Sequence, residues 1–244
     1  MRYFSYESYT RNKEISLYSI IIVGGGKLAN AILDNLTGLD TGSRRIKSVS
    51  RYRTDTETAE GSVFVHVGSG RQYEESLQEA IDKRCIYIQA ATHKDIVMPP
   101  PGEGIIPYIH APNLDVNIIK FMYWLGLGVK LFRGADTALL ESHQSGKRSA
   151  PGTAYRIAEI LGIEKENITS IRDPEKQRLL DIGNIGRHAF HSVEIGDGDS
   201  KIILQTKIEG LLPYVKGLYR IIAGLPGLDP KNYEIEEFVS MGIL

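Results

Sequence analysis

Apolar positions fall first into short continuous runs and later into alternation. The runs are rich in β-branched residues: Tyr18-Ser-Ile-Ile-Ile-Val23, Ile46-Lys-Ser-Val49, Val63-Phe-Val-His-Val67, Ile86-Tyr-Ile88 and Ile105–Ile109. Leu28–Leu36 and Tyr73–Ile81, which lie between them, carry apolar residues at helical spacing. Strands without a solvent side, alternating with helices, predict a parallel sheet covered on both faces. Pro99-Pro-Pro-Gly-Glu-Gly104 suits neither helix nor central strand and reads as a loop.

The pattern changes after residue 112. Asn117–Phe132 places Ile118, Phe121, Met122, Leu125 and Val129 roughly on one helical face, with Trp124 in the same stretch, and predicts a core helix joining two units. Thr137–Glu141 reads as a strand and Ala154–Leu161 as a helix stopped by Gly162. His188–Ile195 and Lys201–Ile208 form a predicted hairpin around Gly196-Asp-Gly-Asp199, and Leu218–Gly224 is a helix with Pro213 near its start. The expected fold class is α/β: an N-terminal Rossmann-type parallel sheet followed by a C-terminal α+β domain. The expected dinucleotide-binding domain is 18–112 together with a C-terminal helix region, about 213–244. Residues 113–212 form the expected substrate-binding and oligomerisation domain.

At 244 residues the chain can bury a sizeable core. A formal net charge of −1 gives no global basic field for nucleic acid or an anionic membrane. The single cysteine, Cys85, excludes an internal disulfide and a cysteine metal cluster, and its apolar run makes it a buried structural thiol. No apolar stretch is long enough to span a bilayer. Met1–Ser19 alternates aromatic and charged residues without the apolar core of a signal peptide. The expected setting is a reducing cytoplasm.

The first strand runs into Val23-Gly24-Gly25-Gly26-Lys27-Leu28-Ala29, which fits Gly-x-Gly-x-x-Ala. Gly24 and Gly26 permit a tight turn against a pyrophosphate, Ala29 permits close packing of helix on sheet, and the helix N-terminus offers N–H groups to phosphates. At the end of the second strand stands Ser50-Arg51-Tyr52-Arg53 rather than a carboxylate. Two readings of it stand. Guanidinium groups suit the 2′-phosphate of NADPH, or the two arginines are solvated surface residues. NADPH is the expected cofactor, with NADH as the alternative.

His143 and Lys147 follow the predicted 137–141 strand, and Pro151-Gly-Thr153 leads into the next helix. By themselves they read either as a polar loop before a capped helix or as a dicarboxylate pocket, where helix N–H groups and an ammonium hold anions and an imidazole gives a proton. Among the remaining histidines, His66 reads as a sheet-core residue, His93 as a loop residue, and His110 as the end of a strand. His188 and His191, three apart on one strand, cannot face one site without a bulge. No residue set has the spacing of a metal site.

The whole segment Glu141-Ser-His-Gln-Ser-Gly-Lys-Arg-Ser-Ala-Pro-Gly-Thr-Ala154 resembles the substrate-binding signature of the dihydrodipicolinate reductase (4-hydroxy-tetrahydrodipicolinate reductase) family, closest to its plant and cyanobacterial branch. Ile171-Arg-Asp-Pro-Glu-Lys-Gln177, Gly186-Arg-His-Ala-Phe-His191 and Ala111-Pro-Asn113 extend the likeness over roughly residues 18 to 225. The resemblance implies an N-terminal Rossmann domain and a C-terminal mixed sheet through which subunits assemble as a homotetramer. It implies NAD(P)H-dependent reduction of a cyclic imine dicarboxylate in lysine and diaminopimelate biosynthesis. His143 and Lys147 match the catalytic pair, and Gln144, Gly152 and Thr153 fall on the substrate-binding part. Gly24, Gly26, Lys27, Leu28, Arg51, Gly68, Ser69, Ala90, Thr92 and Asn113 fall on the cofactor side. The chain departs from the family at Ser149 and Pro151, in Ala90-Ala-Thr92, in Gly68-Ser-Gly-Arg71, and in the tail Lys207-Ile-Glu-Gly-Leu-Leu-Pro-Tyr214. Those departures keep two alternatives in view: a related reductase for another small carboxylate, and a non-catalytic dinucleotide-binding homologue.

Overall fold

The computed structural model describes residues 18–40, 45–54, 58–91, 102–146, 151–197 and 199–244. The first part of the chain runs β1 (Tyr18–Val23), α1 (Lys27–Asn35), β2 (Ile46–Arg51), β3 (Val63–His66), α2 (Tyr73–Asp82), β4 (Ile86–Gln89), β5 (Gly102–Glu103) and β6 (Tyr108–His110). Then follow α3 (Val116–Gly128), β7 (Thr137–His143), α4 (Gly152–Leu161), β8 (Thr169–Ile171), α5 (Pro174–Arg178), β9 (His188–Asp197) and β10 (Ser200–Glu209). The chain closes with α6 (Leu212–Ala223), β11 (Lys231–Glu234) and α7 (Glu237–Ser240).

One sheet has the order β2-β1-β3-β4-β6-β11-β5, parallel throughout except for β5, which pairs antiparallel with β11 at the edge. The β-branched runs are continuous because both of its faces are buried. Ile20, Ile22, Val63, Val65, Ile88 and Ile109 pack with Ala29 and Ile32 of α1 and with Val215, Leu218, Ile221 and Ile222 of α6. The intervening Ile21, Val23, Phe64, Tyr87 and Tyr108 pack with Tyr73 and Ala80 of α2 on the other side. Cys85 is wholly buried there, and burial pushes its thiol up to about 11, where it is inert at neutral pH.

The second sheet has the order β10-β9-β7-β8, with β7, β9 and β10 antiparallel and β8 parallel to β7. Leu139, Ala189, Val193 and Ile195 line its inner face and pack on Ile118, Met122 and Leu125 of α3 and Ala154, Ile157, Ala158 and Leu161 of α4. The architecture is therefore α/β with a Rossmann-type parallel sheet, plus a mixed sheet with helices on one face.

Several boundaries move. The strand expected at 137–141 continues through His143, because Ser142 and His143 pair with Phe190 and Ala189 of β9. The helix expected from Ala154 starts at Gly152, and the strand expected at 105–109 is Tyr108–His110. The C-terminal region is not helical throughout: it contains β11, which adds a parallel strand beside β6. Trp124 is not a core residue; it is 54% exposed on the outer side of α3. Among the described residues no helix is long and apolar enough to cross a membrane.

Candidate active site

The turn after β1 is built on backbone rather than side chains. Gly24 has φ +141°, a conformation L side chains rarely adopt, and a Cβ there would lie 3.2 Å from the Val67 carbonyl and 3.3 Å from Gly68 Cα. A Cβ on Gly68 would lie 3.2 Å from Gly24 Cα, so the loops after β1 and β3 approach backbone to backbone where these two glycines meet. Gly26 precedes α1, and no side chain caps that helix. Its first-turn N–H groups are therefore left to a ligand or water, an arrangement that fits a phosphate. The cavity at this cradle gathers the predicted Gly24, Gly26, Lys27, Leu28, Gly68 and Ser69, together with Arg71.

Arg51 closes the same turn from β2. Its guanidinium donates to the Gly24 carbonyl and to Asn30 Oδ1, the latter at 2.7 Å. Arg53 points elsewhere and pairs with Glu75 at 2.7 Å, both side chains exposed. Ala90 follows β4, donates its N–H to the His66 carbonyl at 2.9 Å and packs on the sheet core, so it is not part of the lining of the cradle. Thr92 and His93 lie outside the described residues.

A second cavity, of about 220 Å³, lies between the two sheets. Leu28 reaches it from α1, Asn113 from the segment after β6, His143 from the end of β7, Gln144 from just beyond it, and Gly152 and Thr153 from α4. Those six were named from the sequence, and Leu28 borders both cavities. Pro151 precedes α4 without a side-chain cap, so this helix N-terminus also keeps N–H groups for an anion. Asn113 Nδ2 donates to Thr153 Oγ1 at 2.9 Å, while Asn113 Oδ1 accepts from the Asp115 N–H at 2.8 Å. Lys147 lies outside the described residues.

The electrostatics of the site centre on Glu141, which is fully buried. Register explains the arrangement: Glu141 and His143 are two apart on β7 and share a face, His191 lies opposite Glu141 on β9, and Ser170 lies opposite it on β8. The Glu141 carboxylate accepts from His143 Nδ1 at 2.6 Å, from Ser170 Oγ at 2.5 Å and from Arg172 Nη2 at 2.6 Å. Burial alone pushes the carboxyl pKa up, but the hydrogen bonds from His143, Arg172 and Ser170 outweigh it and bring it down to about 2. His188 is tuned the other way. It sits on the opposite face of β9 from His191, donates Nδ1–H to the Ile185 carbonyl at 3.1 Å and accepts from Ser142 Oγ at 2.9 Å. Burial lowers its pKa and keeps it neutral.

Arg187, His188 and Tyr214 also line the 220 Å³ cavity and were not named as site residues. Arg187 and His188 stood inside a quoted stretch, Gly186–His191, but nothing in their spacing distinguishes a cavity wall from a strand start. Glu141 was quoted only as the first residue of the signature. Its role shows only once β7 is seen to run through His143. His66 is a core residue as expected, bonded through Nδ1 to Gln89 Oε1 at 2.7 Å, and His110 ends β6 and pairs with Glu234 at 2.8 Å.

Fold and site together define a class: a Rossmann-type sheet whose glycine cradle opens toward a histidine-bearing cavity beneath a second, mixed sheet. Two curated relatives narrow it. The chain is 25% identical over 142 residues to the 4-hydroxy-tetrahydrodipicolinate reductase of Rickettsia bellii, a match covering 54% of this chain and 56% of that protein. It is 30% identical over 105 residues to the probable chloroplastic 4-hydroxy-tetrahydrodipicolinate reductase 2 of Oryza sativa subsp. japonica, covering 38% of this chain and 32% of that one. The matches thus span about half of one relative's length and a third of the other's. The fold matches the dipicolinate-bound dihydrodipicolinate reductase of Paenisporosarcina sp. TG-14 with a TM-score of 0.62 at 16% identity, over 91% of this chain and 99% of that one. No family model matches the chain. The chain is thus similar to 4-hydroxy-tetrahydrodipicolinate reductases over part of its sequence and to a dihydrodipicolinate reductase in fold, in line with the resemblance of the 141–154 segment.

Proposed function

We propose that the chain is a nicotinamide-dinucleotide-dependent oxidoreductase that reduces a cyclic unsaturated imine dicarboxylate, 4-hydroxy-tetrahydrodipicolinate, to tetrahydrodipicolinate for lysine and diaminopimelate synthesis. The observation that carries this reading is a shared wall: Leu28 of the glycine cradle borders the cavity that holds His143, Gly152 and Thr153. A bound nicotinamide supplies the hydride. The protein's part is to hold two carboxylates and to deliver a proton beside the reduced atom. The uncapped N–H groups of α4 and the Thr153 hydroxyl take one carboxylate, and Arg187, which lines the same cavity, takes the second. His143 gives the proton, and Lys147 shares the developing charge, as the family resemblance implies. Gln144 borders the same cavity as a further substrate contact. Asn113, bonded to Thr153, ties the cofactor side to the substrate side.

NADPH is the proposed cofactor because Arg51 stands over the cradle where a 2′-phosphate would lie. A homotetramer joined through the mixed sheet, working in a reducing cytoplasm, belongs to the same proposal. Titration calorimetry with dipicolinate, a stable aromatic dicarboxylate, tests the substrate class. With NADPH present, the wild-type protein binds dipicolinate, and Thr153→Val and Lys147→Ala each weaken binding by about tenfold or more, roughly the worth of one charge-assisted hydrogen bond. A folded wild-type protein that binds no dipicolinate, with or without nucleotide, would overturn the reading.

A further inference from the structure

The cavity has two histidines in opposite environments, and the difference lies in what each Nδ1 meets. His188 gives its Nδ1–H to a neutral carbonyl, whereas His143 meets the fully buried carboxylate of Glu141. An ionised carboxylate can only accept, so the proton shared with His143 sits on Nδ1 in both the neutral and the charged ring. A carboxylate against imidazole also favours the imidazolium, and more so where solvent is excluded. Glu141 is itself held from the far side: its second oxygen takes Ser170 Oγ and the guanidinium of Arg172, whose side chain is 31% exposed. Gln177 Nε2 donates to the His143 carbonyl at 2.7 Å and fixes the backbone beneath the ring.

We propose that Glu141 is a positioning residue that, clamped by Arg172 and Ser170, locks the His143 ring with Nε2 on the cavity side and sustains it as the protonated donor. The proposal rests on the reductase reading above and deepens it. In the donor step the Nε2–H bond breaks and its proton joins the substrate atom beside the one receiving hydride. The pair of electrons stays on Nε2, the neutral Nδ1–H tautomer remains against Glu141, and a solvent proton restores the cation. Arg172 opposes the charge on His143 through space while anchoring its partner, so the network sets a proton affinity as well as an orientation. Among the described residues, the other charged and titratable groups facing this network include His191 from β9, whose ring meets that of His143 edge-on with centroids 5.9 Å apart, and Arg187 and His188 at the cavity wall. Lys147 follows along the chain, outside the described residues.

The test is nitrogen-15 NMR of the His143 imidazole, assigned by its loss in His143→Gln, alongside pH profiles of kcat and kcat/KM. In the wild-type protein the neutral ring is the Nδ1–H tautomer. Glu141→Gln lowers the ring's titration midpoint by about one pH unit or more, the usual reach of an adjacent opposite charge. It lowers kcat by about tenfold to a hundredfold, within the range general acids contribute, and leaves the KM for nucleotide unchanged. Arg172→Gln moves the midpoint the other way, upward, and it carries the test if Glu141→Gln does not fold. A merely structural network would not give opposite signs. An unchanged tautomer and midpoint in folded Glu141→Gln, or a midpoint in Arg172→Gln that does not rise, overturns the proposal. Both NMR readouts are independent of turnover, so a wild-type protein that reduces nothing would refute the reductase reading and leave the role of Glu141 measurable.

Discussion

At the scale of single residues, the site works by leaving backbone groups open and by committing side chains to one another. Arg51 shows the second device: its guanidinium braces the glycine turn by donating to the Gly24 carbonyl and Asn30. If it also takes the 2′-phosphate, Arg51→Ala lowers the ratio of kcat/KM for NADPH over NADH by about tenfold, the worth of one charge-assisted contact. A ratio that does not change places the phosphate elsewhere. Residue types and order made the 141–154 segment legible from sequence, and five of the residues it and the glycine turn suggested converge on one cavity with Asn113. What could not be read was the Glu141–His143 pair. Residues two apart share a face on a strand but not on a helix, and the polar Glu-Ser-His triplet carries no strand signal of its own. Cross-strand partners on β8 and β9, distant in sequence, extend the strand through it.

At the scale of elements, legibility followed burial. β1 and β3 are apolar on both faces and announce themselves, whereas β11 reads Lys-Asn-Tyr-Glu and buries only Tyr233. Its place beside β6 is set by hydrogen-bond register and by Phe238, packed edge-on against Tyr233, which periodicity does not report. The helix α3 was legible on its inner side, where Ile118, Ile119, Met122 and Leu125 are buried, while the exposure of Trp124 depends on what neighbours leave uncovered. Helix packing also yields a sharp prediction. Gly217, in the middle of α6, lies against the backbone of residues 114–116, and a Cβ there would collide with the Leu114 carbonyl. Backbone cannot rotate aside as a side chain can, so Gly217→Ala destabilises the protein by about 2–4 kcal/mol even though alanine favours helices. Denaturant unfolding checks this; a neutral or stabilised variant would contradict the packing.

At the scale of the whole molecule, the chain leaves the first sheet, builds the second, and returns through α6, β11 and α7 to finish the first. The cavity forms where these passages meet, with Leu28, Thr153 and Tyr214 contributed by α1, α4 and α6. The buried titratable groups predict how stability follows pH. His66 and His188 have pKa values lowered by burial, so their contribution is complete above their ordinary value of 6.5 and is lost as pH falls below it. The depressed carboxyl of Glu141 adds a further loss as pH falls from about 4.5 toward about 2. Cys85, raised to about 11, works in the opposite sense and withdraws stability as pH climbs above 9. A His143 cation held by Glu141 works against His66 and His188, so the test is made in His143→Gln: its melting temperature is level between about pH 7 and pH 9 and falls below 6.5, and a melting temperature of that variant that rises on acidification from pH 7 to 5 would contradict it. The central claim is that the nicotinamide cradle adjoins, across Leu28, a cavity that holds a dicarboxylate clamp with a proton donor. Spectrophotometry of NADPH oxidation, with 4-hydroxy-tetrahydrodipicolinate generated in the cuvette, measures it most directly. The account predicts substrate-dependent loss of absorbance at 340 nm, the reduced nicotinamide band, slowed about a hundredfold or more in His143→Gln and in Lys147→Ala. No oxidation of NADPH or NADH by the folded wild-type protein, or full rates in both variants, would contradict it.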